Sequence, residues 1–223
     1  MTDRLRGLVE ERERVLAAFL DTHADALGLA CHAMARAFAS GGTLVACGTG
    51  AAATDAAHVA VEFMHPVIVG KRALPALASA ELARHGDIAV GLVHAGRDPE
   101  VEAVLARPGL LTIALTGPER IAADFSFAVE SDDRVIVQEV QETAYHVLWE
   151  LVHVFFEHPG LLAEACITCG DVAVEALVVA VSDGTAIIDL AGARERVAID
   201  FVDGVSVGDT VLCHAGVALE RIG

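Results

Sequence analysis

The chain has 223 residues, of which 54% are hydrophobic and 21% charged, so it can bury a core in one or two domains and is not disordered. Its 15 Lys and Arg against 32 Asp and Glu give a formal net charge of −17. This charge argues against nucleic acid or an anionic membrane surface as a partner, because phosphate contacts need clustered cations. The start, MTDRLRGLVEERERV, has no apolar signal core, and we expect a soluble, cytoplasmic protein.

The first 158 residues show alternating helix and strand patterns. Apolar residues at helical spacing predict one or two helices over 1–39, ended by Gly41 and Gly42. Strand patterns follow at 43–47, 88–93, 111–115 and 125–129, and helix patterns at 51–64, 98–105 and 134–157. Strands that alternate with helices predict an α/β fold with a parallel sheet covered on both faces.

The pattern changes at His158-Pro159-Gly160. Short strands separated by turn signals then predict a small β-barrel. The predicted strands are 174–181, 185–190, 194–202 and 210–215. We therefore predict two domains, 1–160 and 166–223.

One group of polar residues in the first domain has a spacing that suits chemistry. His58 and Glu62 are four residues apart on a predicted helix, and Gln138 and His146 are eight apart on another, so each pair lies near one helix face. Two imidazoles, a carboxylate and an amide oxygen could bind zinc or transfer protons. A surface ion pair or a buried structural histidine is the alternative.

Four motifs around these residues match a known family in order and spacing: CGTGAAATDAAHVAVEF, LVHAGRDPEV, ALTG and VQEVQETAYHVLWELV. They resemble the sugar isomerase (SIS) domain of the phosphoheptose isomerase type, over residues 5–158. This resemblance implies a doubly wound α/β fold and a dimer or tetramer with a site shared between subunits. It also implies a zinc and catalytic site at His58, Glu62, Gln138 and His146, with Glu62 as the base at the substrate carbon and His146 as the acid at the carbonyl oxygen.

The two loops that hold the substrate in this family differ here. Gly-Asn-Gly-Gly-Ser is replaced by 48–52, and the phosphate-binding Ser-Thr-Ser-Gly-Asn-Ser by 93–98, so most hydroxyls are lost. The phosphate of a phosphosugar ligand would then depend on His94, Arg97 and backbone amides, with Asp98 opposing an anion. The candidate substrate-binding residues are Gly48, Thr49, Gly50, Asp55, His94 and Arg97.

A second group of candidate ligands lies in the C-terminal domain. Cys166 and Cys169 form a C-x-x-C, and Cys213 precedes His214 near the end of the chain. Thiolates and imidazole suit iron or zinc, whereas a redox pair or buried structural thiols are the alternatives.

The tail GDTVLCHAGVA resembles the hydrogenase formation chaperone family (HypC/HupF), over residues 166–223. The resemblance implies a protein that carries iron bearing cyanide and carbon monoxide together with a maturation scaffold protein. It also implies contact with the large-subunit precursor of nickel–iron hydrogenase. Cys166 and His214 match the implied iron ligands, and Cys169 is an added thiol.

Three hypotheses follow for the whole chain. The first is a hydrogenase maturation factor whose SIS-type domain is a dimer scaffold with a ligand-sensing or second metal site. The second is an aldose–ketose isomerase of a phosphorylated sugar, working through an enediol. The third is a SIS-type domain that only oligomerises the barrel.

Overall fold

The computed structural model describes residues 2–158, 162, 173–190, 192–214 and 216–222. The chain divides into two compact units, one formed by Met1–Ala24 with Ala37–Trp149 and the other by Asp25–Arg36 with Glu150–Gly223. Within the described residues, no helix has the length and apolar character needed to span a membrane. Cys166 and Cys169 lie outside the described residues, as does the predicted boundary between the domains, which stays a prediction.

The described residues form α-helices where the sequence predicts helix. They are α1 (Thr2–Ala39), α2 (Ala52–Met64), α3 (Pro99–Leu105) and α4 (Arg134–Glu157), with a 3-10 turn at Ala80–Leu82. The helix α1 ends just before Gly41, whose φ of +91° favours glycine. The helix α3 begins at Pro99 because proline suits the first helical position and Asp98 caps the helix.

The first unit contains a five-stranded parallel sheet, which confirms the predicted α/β fold. Its strands are β1 (Leu44–Cys47), β2 (Ala76–Leu77), β3 (Ile88–Val93), β4 (Leu111–Thr116) and β5 (Phe125–Ala128), in the order β2-β1-β3-β4-β5. The central strand β3 is buried along its whole length. A Cβ at its Gly91 would lie 2.6 Å from Val101, so glycine lets α3 pack closely on the sheet.

The candidate substrate loops follow the carboxyl ends of β1 and β3, the usual position of ligand sites in open parallel sheets. A Cβ at Gly48 would lie 2.7 Å from the carbonyl oxygen of Ala52, so glycine permits the tight connection from β1 to α2. The same edge of the sheet therefore presents both loops.

The second unit contains a closed five-stranded barrel, as predicted. Its strands are β6 (Val174–Ser182), β7 (Thr185–Leu190), β8 (Ala193–Ala198), β9 (Thr210–His214) and β10 (Val217–Arg221), in the order β10-β8-β7-β6-β9. Buried side chains that include Val178, Ile188 and Val197 fill its interior. The predicted extension of β8 to residue 202 is wrong, because Val202 N–H donates to the Ile199 carbonyl in a turn. The strands β2 and β10 were not predicted.

Candidate metal and acid–base site

Two helices bring three predicted site residues together in the first unit. The helix α2 carries His58 and Glu62, and α4 carries His146. Oε1 of Glu62 lies 3.1 Å from Nε2 of His58 and 3.9 Å from Nε2 of His146. One ligand atom from each of the three residues lies within 4.8 Å of the others. The pairing of these helices therefore assembles the cluster that the sequence spacing only suggests.

Tyr145 fixes the orientation of one imidazole in this cluster. Its hydroxyl oxygen lies 2.8 Å from Nδ1 of His58, and Oε1 of Glu142 lies 3.8 Å from the same nitrogen. Burial, assisted by the nearby carboxylates of Glu142, Asp55 and Glu62, raises the pKa of Tyr145, so the phenol stays protonated at neutral pH. If Nε2 of His58 held a metal, its Nδ1–H would donate to the hydroxyl oxygen of Tyr145.

The three residues suit a divalent metal of the zinc type. Two imidazole nitrogens and one carboxylate oxygen are a common ligand set of catalytic zinc, which keeps a fourth position open. The side chain of Glu62 is only 12% exposed, whereas those of His58 and His146 are 37% and 42% exposed, so the cluster is accessible from solvent. The same groups are also placed to exchange protons with a bound ligand.

Gln138, the fourth residue of the predicted site, contacts Asp55. Its Nε2 donates to Oδ1 of Asp55 at 3.0 Å. Oδ2 of the same carboxylate lies 2.7 Å from Nε2 of His94, and both side chains are almost completely buried. The predicted residues Asp55, His94 and Gln138 therefore form a connected group beside the His58–Glu62–His146 cluster.

Arg97 and Asp98 of the second loop make hydrogen bonds to neighbouring residues. Arg97 Nε donates to Glu102 Oε1 at 2.8 Å, and its Nη2 donates to Oε2 of the same carboxylate. This pairing raises the pKa of Arg97 and lowers that of Glu102, so both are charged at neutral pH. Asp98 Oδ1 accepts hydrogen bonds from the amides of Glu100 and Val101, at 3.0 and 3.2 Å.

A cavity of about 360 Å³ lies between the two loops and the start of α4. The lining residues include Thr49, Gly50, His94, Arg97, Asp98, Arg134 and Gln138. Gly48 lines a neighbouring cavity with Cys47, where burial raises the pKa of the Cys47 thiol to about 11. Cys47 is therefore a neutral thiol at neutral pH.

His214 occupies an unusual position in the second unit. It ends β9 and is fully buried, yet neither ring nitrogen has a hydrogen-bond partner in the part of the chain that the structure describes. A Cβ at Gly28 of α1 would lie 3.7 Å from Cδ2 of His214, so the ring lies close to this helix. Buried polar atoms are nearly always hydrogen-bonded or bound to a ligand, so this imidazole is a candidate ligand.

Comparison with known proteins identifies both parts of the chain. The SIS domain model matches residues 9–117, and the HupF/HypC family model matches residues 172–223. A phosphoheptose isomerase of Solidesulfovibrio magneticus is 33% identical over 184 residues, which cover 69% of this chain and 90% of that protein. The chain belongs to the SIS family of phosphoheptose isomerase-like proteins. Its C-terminal residues add a HupF/HypC domain to the SIS part.

Further relatives give the same family for the SIS part. A phosphoheptose isomerase of Thermodesulfovibrio yellowstonii is 30% identical over 190 residues, covering 71% of this chain and 94% of that protein. The solved structure of a phosphoheptose isomerase from Francisella tularensis has a TM-score of 0.61 at 19% identity, over 68% of this chain and 97% of that one. This structural similarity confirms the SIS-like fold.

Sequence reasoning missed three contacts at the SIS site: Tyr145 on His58, Glu142 beside the same ring, and Glu102 on Arg97. The first two had a signal, because residues 142, 145 and 146 share one helix face at spacings of three and four. Arg97 precedes α3 and Glu102 lies within it, five residues later. Contact at this spacing could not be predicted from helical periodicity.

Proposed function

We propose that this protein is a hydrogenase maturation factor in which the HupF/HypC domain carries iron and contacts the large-subunit precursor and a maturation scaffold protein. In this proposal the SIS part is an oligomerisation scaffold, as a dimer or tetramer, with its own metal and ligand site. The match of residues 172–223 to the HupF/HypC family supports the general role, and the buried imidazole of His214 supports the iron-carrying role.

The environment of His214 is the observation that carries the proposal. Leaving a buried polar atom without a partner costs about 1–3 kcal/mol, so an imidazole in this state needs a compensating ligand. Imidazole nitrogen and thiolate sulfur are both suitable ligands for iron. We propose Cys166 as the thiolate ligand, with Cys169 as a second thiol that strengthens binding or acts as a redox partner.

Complementation of a host that lacks its own HupF/HypC protein tests this function. We expect Cys166→Ala to abolish nickel–iron hydrogenase maturation, His214→Ala to reduce it strongly, and Glu62→Gln to retain most of it. Cys47→Ala is the matched cysteine control, because Cys47 lies in the SIS part and is a neutral thiol. Normal maturation by Cys166→Ala would overturn the proposal.

The geometry of the SIS site also favours a second function, aldose–ketose isomerisation of a phosphorylated sugar. Its support is the cluster of His58, Glu62 and His146 around one carboxylate oxygen, with Tyr145 holding His58. Glu62 would take a proton from the substrate carbon while His146 gives one to the carbonyl oxygen, which yields an enediol. Zinc bound at this cluster would polarise the substrate oxygens.

The isomerase function predicts turnover of sedoheptulose 7-phosphate by the wild type and its loss in Glu62→Gln. A variant of the exposed His65, at the end of the same helix, should retain that turnover. Absence of turnover in the zinc-loaded wild type would remove this second candidate and leave the maturation function unaffected.

A further inference from the structure

The cation of the second loop is already paired with a carboxylate. Nε and Nη2 of Arg97 donate to the two carboxylate oxygens of Glu102, which is the two-point contact that a phosphate would otherwise receive. An incoming phosphate would therefore compete with Glu102 for this guanidinium. The structure thus weakens the role that the sequence gives to Arg97.

Backbone amides at the starts of α3 and α4 are also engaged. Oδ1 of Asp98 accepts hydrogen bonds from the amides of Glu100 and Val101, and Oδ1 of Asp133 accepts one from the amide of Val135 at 2.9 Å. Helix N-termini bind anions through such amides, but here a carboxylate of the chain itself caps each helix. These amides are therefore not open to a phosphate.

Arg134 brings another guanidinium to the same cavity from a different element. It is the first residue of α4, and it lines the cavity of about 360 Å³ opposite the loop residues Thr49 and His94. Unlike Arg97, it makes no hydrogen bond or ion pair with any residue that the structure describes. Arg134 is also exposed, so a ligand that enters the cavity from solvent can reach its donors.

The charges that line the cavity leave one positive charge without a partner. The charged lining residues are Arg97, Asp98 and Arg134. The charge of Arg97 is met by Glu102, and that of Asp98 by two amides and the hydroxyl of Thr49. The charge of Arg134 is not met in this way within the described ranges. Because a planar guanidinium matches phosphate oxygens in a two-point contact, an anion in this cavity is expected at Arg134.

The position of Arg134 on α4 suits a ligand that also reaches the metal cluster. Gln138, about one turn later, lines the same cavity, and His146, about two turns further, belongs to the cluster with Glu62. A ligand whose phosphate contacts Arg134 would therefore extend along α4 in the direction of the acid–base groups.

We propose that Arg134 recognises the phosphate group of a phosphorylated sugar in this cavity, through a two-point contact between its guanidinium and two phosphate oxygens. Arg134 is then the residue by which the SIS part distinguishes a sugar phosphate from the free sugar. This inference deepens the second candidate function and rests on it for the ligand class. Iron carriage by the HupF/HypC domain does not depend on it.

Isothermal titration of the metal-free full chain with sedoheptulose 7-phosphate and with free sedoheptulose tests this role. We expect the wild type to bind the phosphate ester at least about tenfold more tightly than the free sugar, a difference of about 1.4 kcal/mol. Arg134→Gln should lose this preference and bind the free sugar like the wild type. Arg134→Lys, which keeps the charge without the two-point contact, should keep part of the preference. A wild type that does not prefer the ester, or an Arg134→Gln variant that still does, would overturn the proposal.

Two control variants separate Arg134 from the other cations. Arg97→Gln with Glu102→Gln removes both members of the ion pair beside the cavity, and Arg36→Gln removes an exposed charge from the last turn of α1. Both should keep the preference for the ester. Loss of the preference in the Arg97/Glu102 variant would assign the phosphate to Arg97 and contradict the proposal.

Glu62→Gln distinguishes a failure of this inference from a failure of the second candidate function. It should abolish turnover and keep the preference for the ester, because Glu62 belongs to the metal cluster. An ester preference that depends on Arg134 in a wild type without turnover would remove the isomerase function and support the role of Arg134. Turnover by a wild type whose ester preference survives Arg134→Gln would overturn the role of Arg134 alone.

Discussion

The two parts of this chain differ in how closely their candidate site residues contact one another. In the SIS part, the predicted site residues contact one another: Asp55 meets Gln138 and His94, Arg97 meets Glu102, and the hydroxyl of Tyr145 meets His58. In the barrel, the imidazole of His214 is fully buried without a partner among the described residues. Side chains that contact one another cost less free energy without a ligand than a buried imidazole that has no hydrogen-bond partner among the described residues. The difference indicates that the barrel depends more on a ligand than the SIS cleft does.

The largest effect should come from removing two ligands of the SIS cluster. We expect His58→Ala with His146→Ala to lower the Zn²⁺ affinity of the metal-free protein by more than about a hundredfold, beyond what loss of an outer hydrogen bond produces. Competition with a chromogenic chelator measures the affinity, and His65→Ala, on an exposed histidine just after α2, is the control. An unchanged affinity would show that His58 and His146 do not form a Zn²⁺ site in the SIS part.

Loss of the tyrosine hydroxyl should have a smaller effect on the same affinity. Tyr145→Phe keeps the ring but removes the hydrogen-bond partner of His58 Nδ1, so we expect the Zn²⁺ affinity to fall about tenfold. The same competition assay measures it, with far-ultraviolet circular dichroism to verify folding. If Tyr145→Phe binds Zn²⁺ like the wild type, Tyr145 does not position the ligand.

Replacing the barrel histidine should not lower the stability of the metal-free protein. We expect His214→Leu to leave the free energy of unfolding of the metal-free protein unchanged or to raise it by about 1 kcal/mol, because it removes two buried nitrogens that have no hydrogen-bond partner in the described part of the chain. Denaturant unfolding measures this change, and the same variant should lose iron. A loss of more than about 1 kcal/mol would show that the imidazole already has a stabilising partner.

The smallest effect concerns pH and the buried His23 of the SIS part. Nε2 of His23 lies 3.1 Å from the Ala128 carbonyl oxygen, and burial lowers its pKa below the ordinary 6.5. As the pH falls, His23 is therefore protonated in the unfolded chain before it is protonated in the folded one. The free energy of unfolding that a neutral His23 contributes above pH 6.5 is lost as the pH falls below that value.

Melting temperatures at pH 7.5 and 5.0 measure this loss. These two test conditions lie about one unit or more on either side of the ordinary histidine pKa. The wild type should lose more than His23→Gln does, whereas His65→Gln, on an exposed histidine, should behave like the wild type. Equal losses in wild type and His23→Gln would show that His23 is not the titrating group.

Much of the fold could be predicted from the sequence, because periodicity and glycine signals are local. The helix α4 and the strands β3 and β7 have the ends that the patterns predict, and both families were identified from short motifs. The strand β2 has only two residues and carries no period. The strand β8 stops early because a turn that begins at Ile199 interrupts an apolar alternation.

The candidate site could be predicted only in part. Helical spacing selected His58 with Glu62, but the approach of α2 to α4 is a tertiary contact, and only the family resemblance suggested it. The pairing of His94 with Asp55 joins residues 39 positions apart, so no local pattern shows it. His214 was selected by resemblance, whereas its burial without a hydrogen-bond partner among the residues that the structure describes is visible only in the folded barrel.

Metal content of the anaerobically purified protein tests the central claim most directly. Elemental analysis would compare the wild type with Cys166→Ala/Cys169→Ala and with His58→Ala/His146→Ala. The account predicts iron in the wild type, lost with the cysteine changes and kept with the histidine changes. Iron that persists without both cysteines, or that disappears only with the histidine changes, would contradict it.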